Sequence, residues 1–143
     1  IKLIIAGEFY DKKEKYSELL ETNKGSVLLY DHYIPQDEVR YYFAAVDCVV
    51  QPYKTATQSG ITQVAYNFNK PMIVTNVGGL PEIVAHEKVG YVTELNETAI
   101  ADAIVRFYAE NKKAEFEKNV ELEKVKFSWE HFIDSLADFE EGV

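Results

Sequence analysis

The sequence predicts an α/β fold, a Rossmann-like parallel sheet with helices on both faces and a helical C-terminus. Short β-type apolar runs alternate with helical patterns, the βαβ rhythm of a parallel sheet. Several of those runs, such as 46–50 and 72–74, are apolar almost throughout rather than alternating, as expected of strands covered on both faces. From Ala99 onward the pattern is wholly helical.

Taken in order, strands are expected near 1–7, 26–31, 46–51, 72–76 and 90–94. Helices are expected near 12–23, 36–45, 60–68, 80–86, 97–110, 112–126 and 128–140. Gly7 closes the first run, Ser59 is placed to cap a helix beginning near Gly60, and Pro81 suits a first helical turn. In the last third, Ile100, Ile104 and Phe107, then Phe116 and Val120, then Trp129, Phe132, Ile133 and Leu136, give each helix one apolar stripe. No internal repeat, linker or low-complexity tract interrupts the order.

With 143 residues, 47% of them hydrophobic, residues 1–143 read as a single domain with room for a core. A formal net charge of −9 argues against non-specific binding to nucleic acid or to an anionic membrane surface, which need a basic patch. The single cysteine, Cys48, permits no intramolecular disulfide and favours a reducing, cytoplasmic compartment; inside its apolar run it reads as a small buried hydrophobe. No stretch approaches the roughly 20 apolar residues of a membrane-spanning helix. Because Ile1 stands directly in a strand pattern, the chain reads as a piece of a longer protein.

Residues 52–90 carry the functional signal. Thr57-Gln58-Ser59-Gly60 and Gly78-Gly79-Leu80-Pro81-Glu82 are loops rich in small residues that each follow an apolar run and open a helical pattern. In open parallel sheets such loops lie beyond the carboxyl ends of the strands, where ligands bind. Each helix start leaves N–H donors without intrahelical acceptors and favours an anion by about 0.3–1 kcal/mol at the surface. Two such ends orient a diphosphate but do not hold it tightly, and taken alone a Gly-Gly pair after a strand marks a tight turn.

The motifs in their order resemble the donor-binding, C-terminal domain of family-4 retaining glycosyltransferases of the GT-B fold, over nearly the whole chain. They are Leu3-Ile4-Ile5-Ala6-Gly7, Asp37-Glu38-Val39-Arg40-Tyr41-Tyr42, the run 46–52 ending in Pro52, Lys70-Pro71-Met72-Ile73-Val74-Thr75, Gly78 to Val84, Val89-Gly90-Tyr91-Val92 and Phe127-Ser128-Trp129. The resemblance implies transfer of a hexosyl-type sugar from a nucleotide-diphosphate-sugar donor to a sugar or lipid-linked hydroxyl acceptor, with retention and without a metal or other cofactor. Polysaccharide, lipopolysaccharide or glycolipid synthesis is the implied setting. The implied donor-side residues are Tyr53, Lys54, Thr57, Gln58, Ser59, Gly60, Ile61, Gly78, Gly79 and Glu82. Amides around Ser59, Gly60 and Ile61 would meet charge on the departing diphosphate, and Glu82 would reach sugar hydroxyls or base, or else complement its own helix dipole. Tyr53 would stack on base or sugar, or pack at the rim; Lys54 would meet phosphate.

The chain departs from the family pattern at two places. Its two signature glutamates, eight positions apart, fall at Ala56 and Val64, so both carboxylates are absent and the T-Q-S-G form reads as a variant donor loop. Gln58, Ser59 or Gln63 would then supply neutral hydrogen bonds in their place. No catalytic group is assigned. The family also places a strand and helix with phosphate-binding Arg and Lys, and an entire acceptor domain, ahead of the first run seen here. With that central strand outside the chain, the family order leaves runs 1–7 and 46–51 either to pair directly or to be joined by another chain through self-association at their edges. Residues 1–143 alone are expected to be inactive, and peripheral membrane contact would belong to the full-length enzyme.

Other classes are weighed by their motifs. A dinucleotide-binding domain would show G-x-G-x-x-G after the first strand, but Gly7 precedes Glu8-Phe9-Tyr10. A receiver domain would end a central strand in Asp, whereas Asp47 opens its run. A nucleotide-sugar epimerase of the same fold and a catalytically silent nucleotide-binding or interaction domain remain as alternatives. His32, His86 and His131 show no metal-ligand spacing.

Overall fold

The computed structural model describes residues 1–10, 12–128 and 133. Residues fall into two compact units, Ile1–Val46 and Asp47–Val143.

In the first unit β1 (Leu3–Ala6) runs parallel to β2 (Val27–Tyr30), with Leu3 beside Val27 and Ala6 beside Tyr30. Gly7, at φ 129°, turns the chain out of β1 through a conformation that side chains disfavour. A 3-10 turn at Lys13–Tyr16 leads into α1 (Ser17–Thr22), so the helix expected over 12–23 is split. Asn23 closes α1, its side-chain amide donating to Leu19 O at 2.8 Å. The following helix, α2 (Val39–Ala45), lays Tyr42 edge-on against Tyr30 of β2, with ring centroids 5.3 Å apart. Lys13 pairs with Asp31, tying the 3-10 turn to the end of β2 and holding the Asp31 carboxyl below the usual carboxylate range.

The second unit is built on β3 (Val49–Gln51), β4 (Met72–Thr75) and β5 (Gly90–Thr93), a fully parallel sheet in that spatial order. β4 is central and buried at all four positions, as its unbroken Met-Ile-Val-Thr run requires. Between the strands run α3 (Gly60–Asn67) and α4 (Leu80–Ile83); α5 (Glu97–Ala109), α6 (Lys113–Glu123) and a 3-10 turn at Lys124–Phe127 follow. Asn96 caps α5 through its side chain, which accepts from Ala99 N at 2.8 Å. The core joins Ile73 and Tyr91 of the sheet to Ala103 and Phe107 of α5 and Phe116 of α6. Cys48 packs against this cluster, and burial pushes its thiol up to about 12, so it behaves as the small hydrophobe the sequence predicts.

All five expected strands are present, each one to three residues shorter than its apolar run. Each unit has its own ladder, β1-β2 in the first and β3-β4-β5 in the second. Beyond Ser128 and Ile133, the helix expected over 128–140, with Trp129, His131, Phe132 and Leu136, lies outside the described residues.

Candidate functional site

The site grows from the carboxyl end of β3. Gln51 ends the strand, Pro52 cannot extend its ladder, and the chain loops through 53–59 before α3 begins. Tyr53 and residues 55–61 line an open cleft of about 730 Å³. Of the residues expected on the donor side, Tyr53, Thr57, Gln58, Ser59, Gly60 and Ile61 thus come together on one surface. Lys54 is exposed in the same loop but does not line the cleft, and neither does the exposed Glu82, which sits in the first turn of α4. Thr55 and Ala56 join the lining unforeseen; their only sequence signal is their position between foreseen neighbours.

Ser59 occupies the N-cap position of α3 with extended backbone, as expected, but its side chain does not cap the helix. Its backbone carbonyl accepts from Thr62 N at 3.1 Å, while its hydroxyl lies 3.4 Å from the Tyr53 hydroxyl. The amides of Gly60 and Ile61 head the helix, where no intrahelical acceptor exists. Gly60 leaves the approach open, since a β-carbon built on it would meet nothing within 4 Å. Beneath the first turn, the Thr62 hydroxyl donates to Gln51 Oε1 at 3.2 Å.

The second glycine loop meets the first rather than the cleft. A β-carbon on Gly78, which holds φ 52°, would stand 1.4 Å from Ala56 O, and one on Gly79 would stand 2.6 Å from Thr57 O. Gly79 N donates to Thr57 O at 3.1 Å, and the Thr75 hydroxyl donates to Tyr53 O at 2.6 Å. Among the described residues, no carboxylate, histidine or cysteine lines the cleft, and no group of three His, Cys, Asp or Glu side chains has metal-binding geometry. The lining offers hydroxyls, one side-chain amide and helix-terminal N–H groups, chemistry suited to an acceptor-rich anionic ligand.

A parallel α/β sheet with its cleft beyond the carboxyl ends of the strands is the arrangement in which open α/β folds bind ligands. Residues 1–110 match the family described as Glycosyl transferases group 1, and the chain belongs to it. Solved structures share the fold across almost the whole chain. Sucrose-phosphate synthase from Thermosynechococcus elongatus aligns with TM-score 0.75 at 20% identity, over 98% of this chain and 37% of its own. Anabaena HepE in complex with UDP aligns with TM-score 0.70 at 17% identity, over 100% of this chain and 41% of its own. TarM aligns with TM-score 0.73 at 19% identity, over 96% of this chain and 28% of its own. The chain therefore spans well under half the length of these proteins. Curated proteins provide no match. Among the described residues no helix is long and apolar enough to cross a membrane.

Proposed function

We propose that this chain is the donor-binding domain of a retaining, family-4 glycosyltransferase that moves a hexosyl-type sugar from a nucleotide-diphosphate sugar to a hydroxyl acceptor. The observation that carries this reading is the start of α3: Gly60 and Ile61, whose amides have no intrahelical acceptor, line the cleft, and nothing lies where a Gly60 side chain would stand. A diphosphate seated there is met by unpaired N–H donors and the positive end of the helix, and those groups stabilise charge on the leaving nucleotide without reorganising. HepE was crystallised with UDP-glucose, in keeping with a nucleotide-sugar donor here.

Ala56 of the lining and Val64 of α3 stand where the family's pattern would place two carboxylates, and the lining carries none. Gln58 and Ser59 therefore take over hydrogen bonding to the donor's ribose and sugar. Tyr53 supplies the flat apolar surface, and Lys54, exposed in the same loop, is the nearby cation. The acceptor would be held outside residues 1–143, and no catalytic group is assigned within them.

The test uses the longest natural protein containing residues 1–143, assayed with a panel of nucleotide sugars for transfer and hydrolysis. Gly60→Val is expected to raise the donor KM at least about tenfold, a loss of ~1.4 kcal/mol, while leaving the thermal midpoint unchanged. Unchanged donor affinity in a folded Gly60→Val variant discards the site. Conversion of a free nucleotide sugar to its epimer, with no transfer, assigns the protein to an epimerase instead.

A further inference from the structure

The loop that lines the cleft is not shaped by its own hydrogen bonds. Among the described residues, the side-chain hydrogen bond within the loop between Pro52 and the start of α3 is the long Tyr53–Ser59 pair at 3.4 Å. Backbone carbonyls at three of its positions instead meet one segment from the end of β4. Tyr53 O accepts the Thr75 hydroxyl at 2.6 Å, and Thr57 O accepts Gly79 N at 3.1 Å. Between them, Ala56 O presses into the space that a β-carbon on Gly78 would fill.

Resting on the donor-site reading above, we infer that Thr75, Gly78 and Gly79 are positioning residues: they clamp the backbone of 53–57 and so set where the Gly60 and Ile61 amides point, and they do not touch the donor themselves. The physical need for glycine follows from both positions. At Gly78 a side chain would require a left-handed conformation and would overlap a backbone oxygen, which cannot swing aside as a flexible side chain does. At Gly79 the same overlap would break the hydrogen bond to Thr57 O that its own amide makes. Thr75 is fully buried at the end of the central strand, so the clamp is anchored on the most enclosed element of the unit. Glycine at 78 and 79 therefore serves the neighbouring loop rather than close approach of a phosphate.

Thr75→Val is the primary test, since it removes the hydroxyl while keeping the shape; Gly79→Ala is the second variant and Thr75→Ser the rescue. Amide hydrogen exchange and donor kinetics are measured on the same full-length proteins. Thr75→Val and Gly79→Ala should speed exchange of the 53–61 amides about tenfold while leaving the 103–120 amides unchanged. The donor KM should rise about fivefold, the loss of one ordinary hydrogen bond, with kcat within about twofold, and Thr75→Ser should restore both. Unchanged exchange over 53–61 in Thr75→Val overturns the clamp. Faster exchange with an unchanged donor KM overturns its role in donor binding. If the wild-type protein neither binds nor turns over any nucleotide sugar, the donor reading falls, and the exchange data still decide whether the clamp exists.

Discussion

The Thr62 hydroxyl donates to Oε1 of Gln51 at 3.2 Å, fastening the first turn of α3 to the end of β3, while Gln51 Nε2 has no partner among the described residues. Gln51 is only 2% exposed and Thr62 fully buried. A buried amide that satisfies one end and not the other forgoes about 1–3 kcal/mol. The pair therefore fixes the helix start at a cost in stability, and the two residues are coupled.

That coupling has a measurable sign. Thr62→Val alone should destabilise the second unit by about 1–2 kcal/mol, because it strips Gln51 of its remaining partner. Gln51→Met with Thr62→Val together should lie near or above wild-type stability, since both polar groups leave at once. Urea unfolding of the four proteins in a double-mutant cycle reads the coupling, and additive effects would show that the hydrogen bond contributes nothing.

Helix α6 buries few apolar side chains. Its sequence is largely charged, and its buried apolar side chains are Phe116 and Val120, one turn apart. Phe116 is fully buried, edge-on to Tyr91 at 5.3 Å and tilted against Phe107 at 6.2 Å. Phe116→Ala should cost about 3–5 kcal/mol by transfer and cavity terms together, against under ~1.5 kcal/mol for the nearer-sized Phe116→Leu. Chemical denaturation followed by circular dichroism distinguishes the two, and equal losses would place Phe116 outside the core.

Acid should act through Glu123. This largely buried carboxylate bonds both Lys126 and Lys88, and those partners, Lys126 foremost, hold its pKa below the ordinary value of 4.5. A group depressed on folding contributes stability in full above its unfolded value and loses it as pH falls through the folded value. Glu123→Gln should therefore lower stability at neutral pH by about 1 kcal/mol, and the gap to wild type should close on acidification below 4.5. Asp47, held down chiefly by Lys113, contributes in the same direction and remains in both proteins. A gap constant from neutral pH to below the folded value would remove Glu123 from the acid response.

Legibility in the sequence followed the range of the interactions. The central strand could be read because burial on both faces writes an unbroken apolar run, Met72 to Val74. Six of the eight lining residues could be read because they fall in one loop that leads into one helix, Thr55 and Ala56 being the two that were missed. What could not be read depends on contacts between distant segments. Gly78 and Gly79 look alike in sequence whether or not another loop lies against them, and only the structure brings Ala56 O and Thr57 O there. Gln51, an amide ending an apolar run, gives no sign of its burial beneath Thr62. The two-ladder arrangement likewise follows from pairing, which strand patterns do not specify.

Two helix starts that look equivalent in sequence should respond differently. Asn96 and Ser59 are both favoured N-cap residues, but Asn96 Oδ1 accepts from Ala99 N at 2.8 Å, whereas Ser59 gives its helix no side-chain bond and faces Tyr53. Asn96→Ala should cost about 1 kcal/mol, the usual loss for a working cap. Ser59→Ala should cost below ~0.5 kcal/mol, because a 3.4 Å hydroxyl contact lies at the weak limit of hydrogen bonding. If Ser59 serves the donor, its substitution should instead appear in ligand affinity, raising the donor KM in the full-length protein with little change in melting temperature. A stability loss for Ser59→Ala equal to that of Asn96→Ala would mean that the hydroxyl caps α3 in solution, and its assignment to the cleft would be withdrawn.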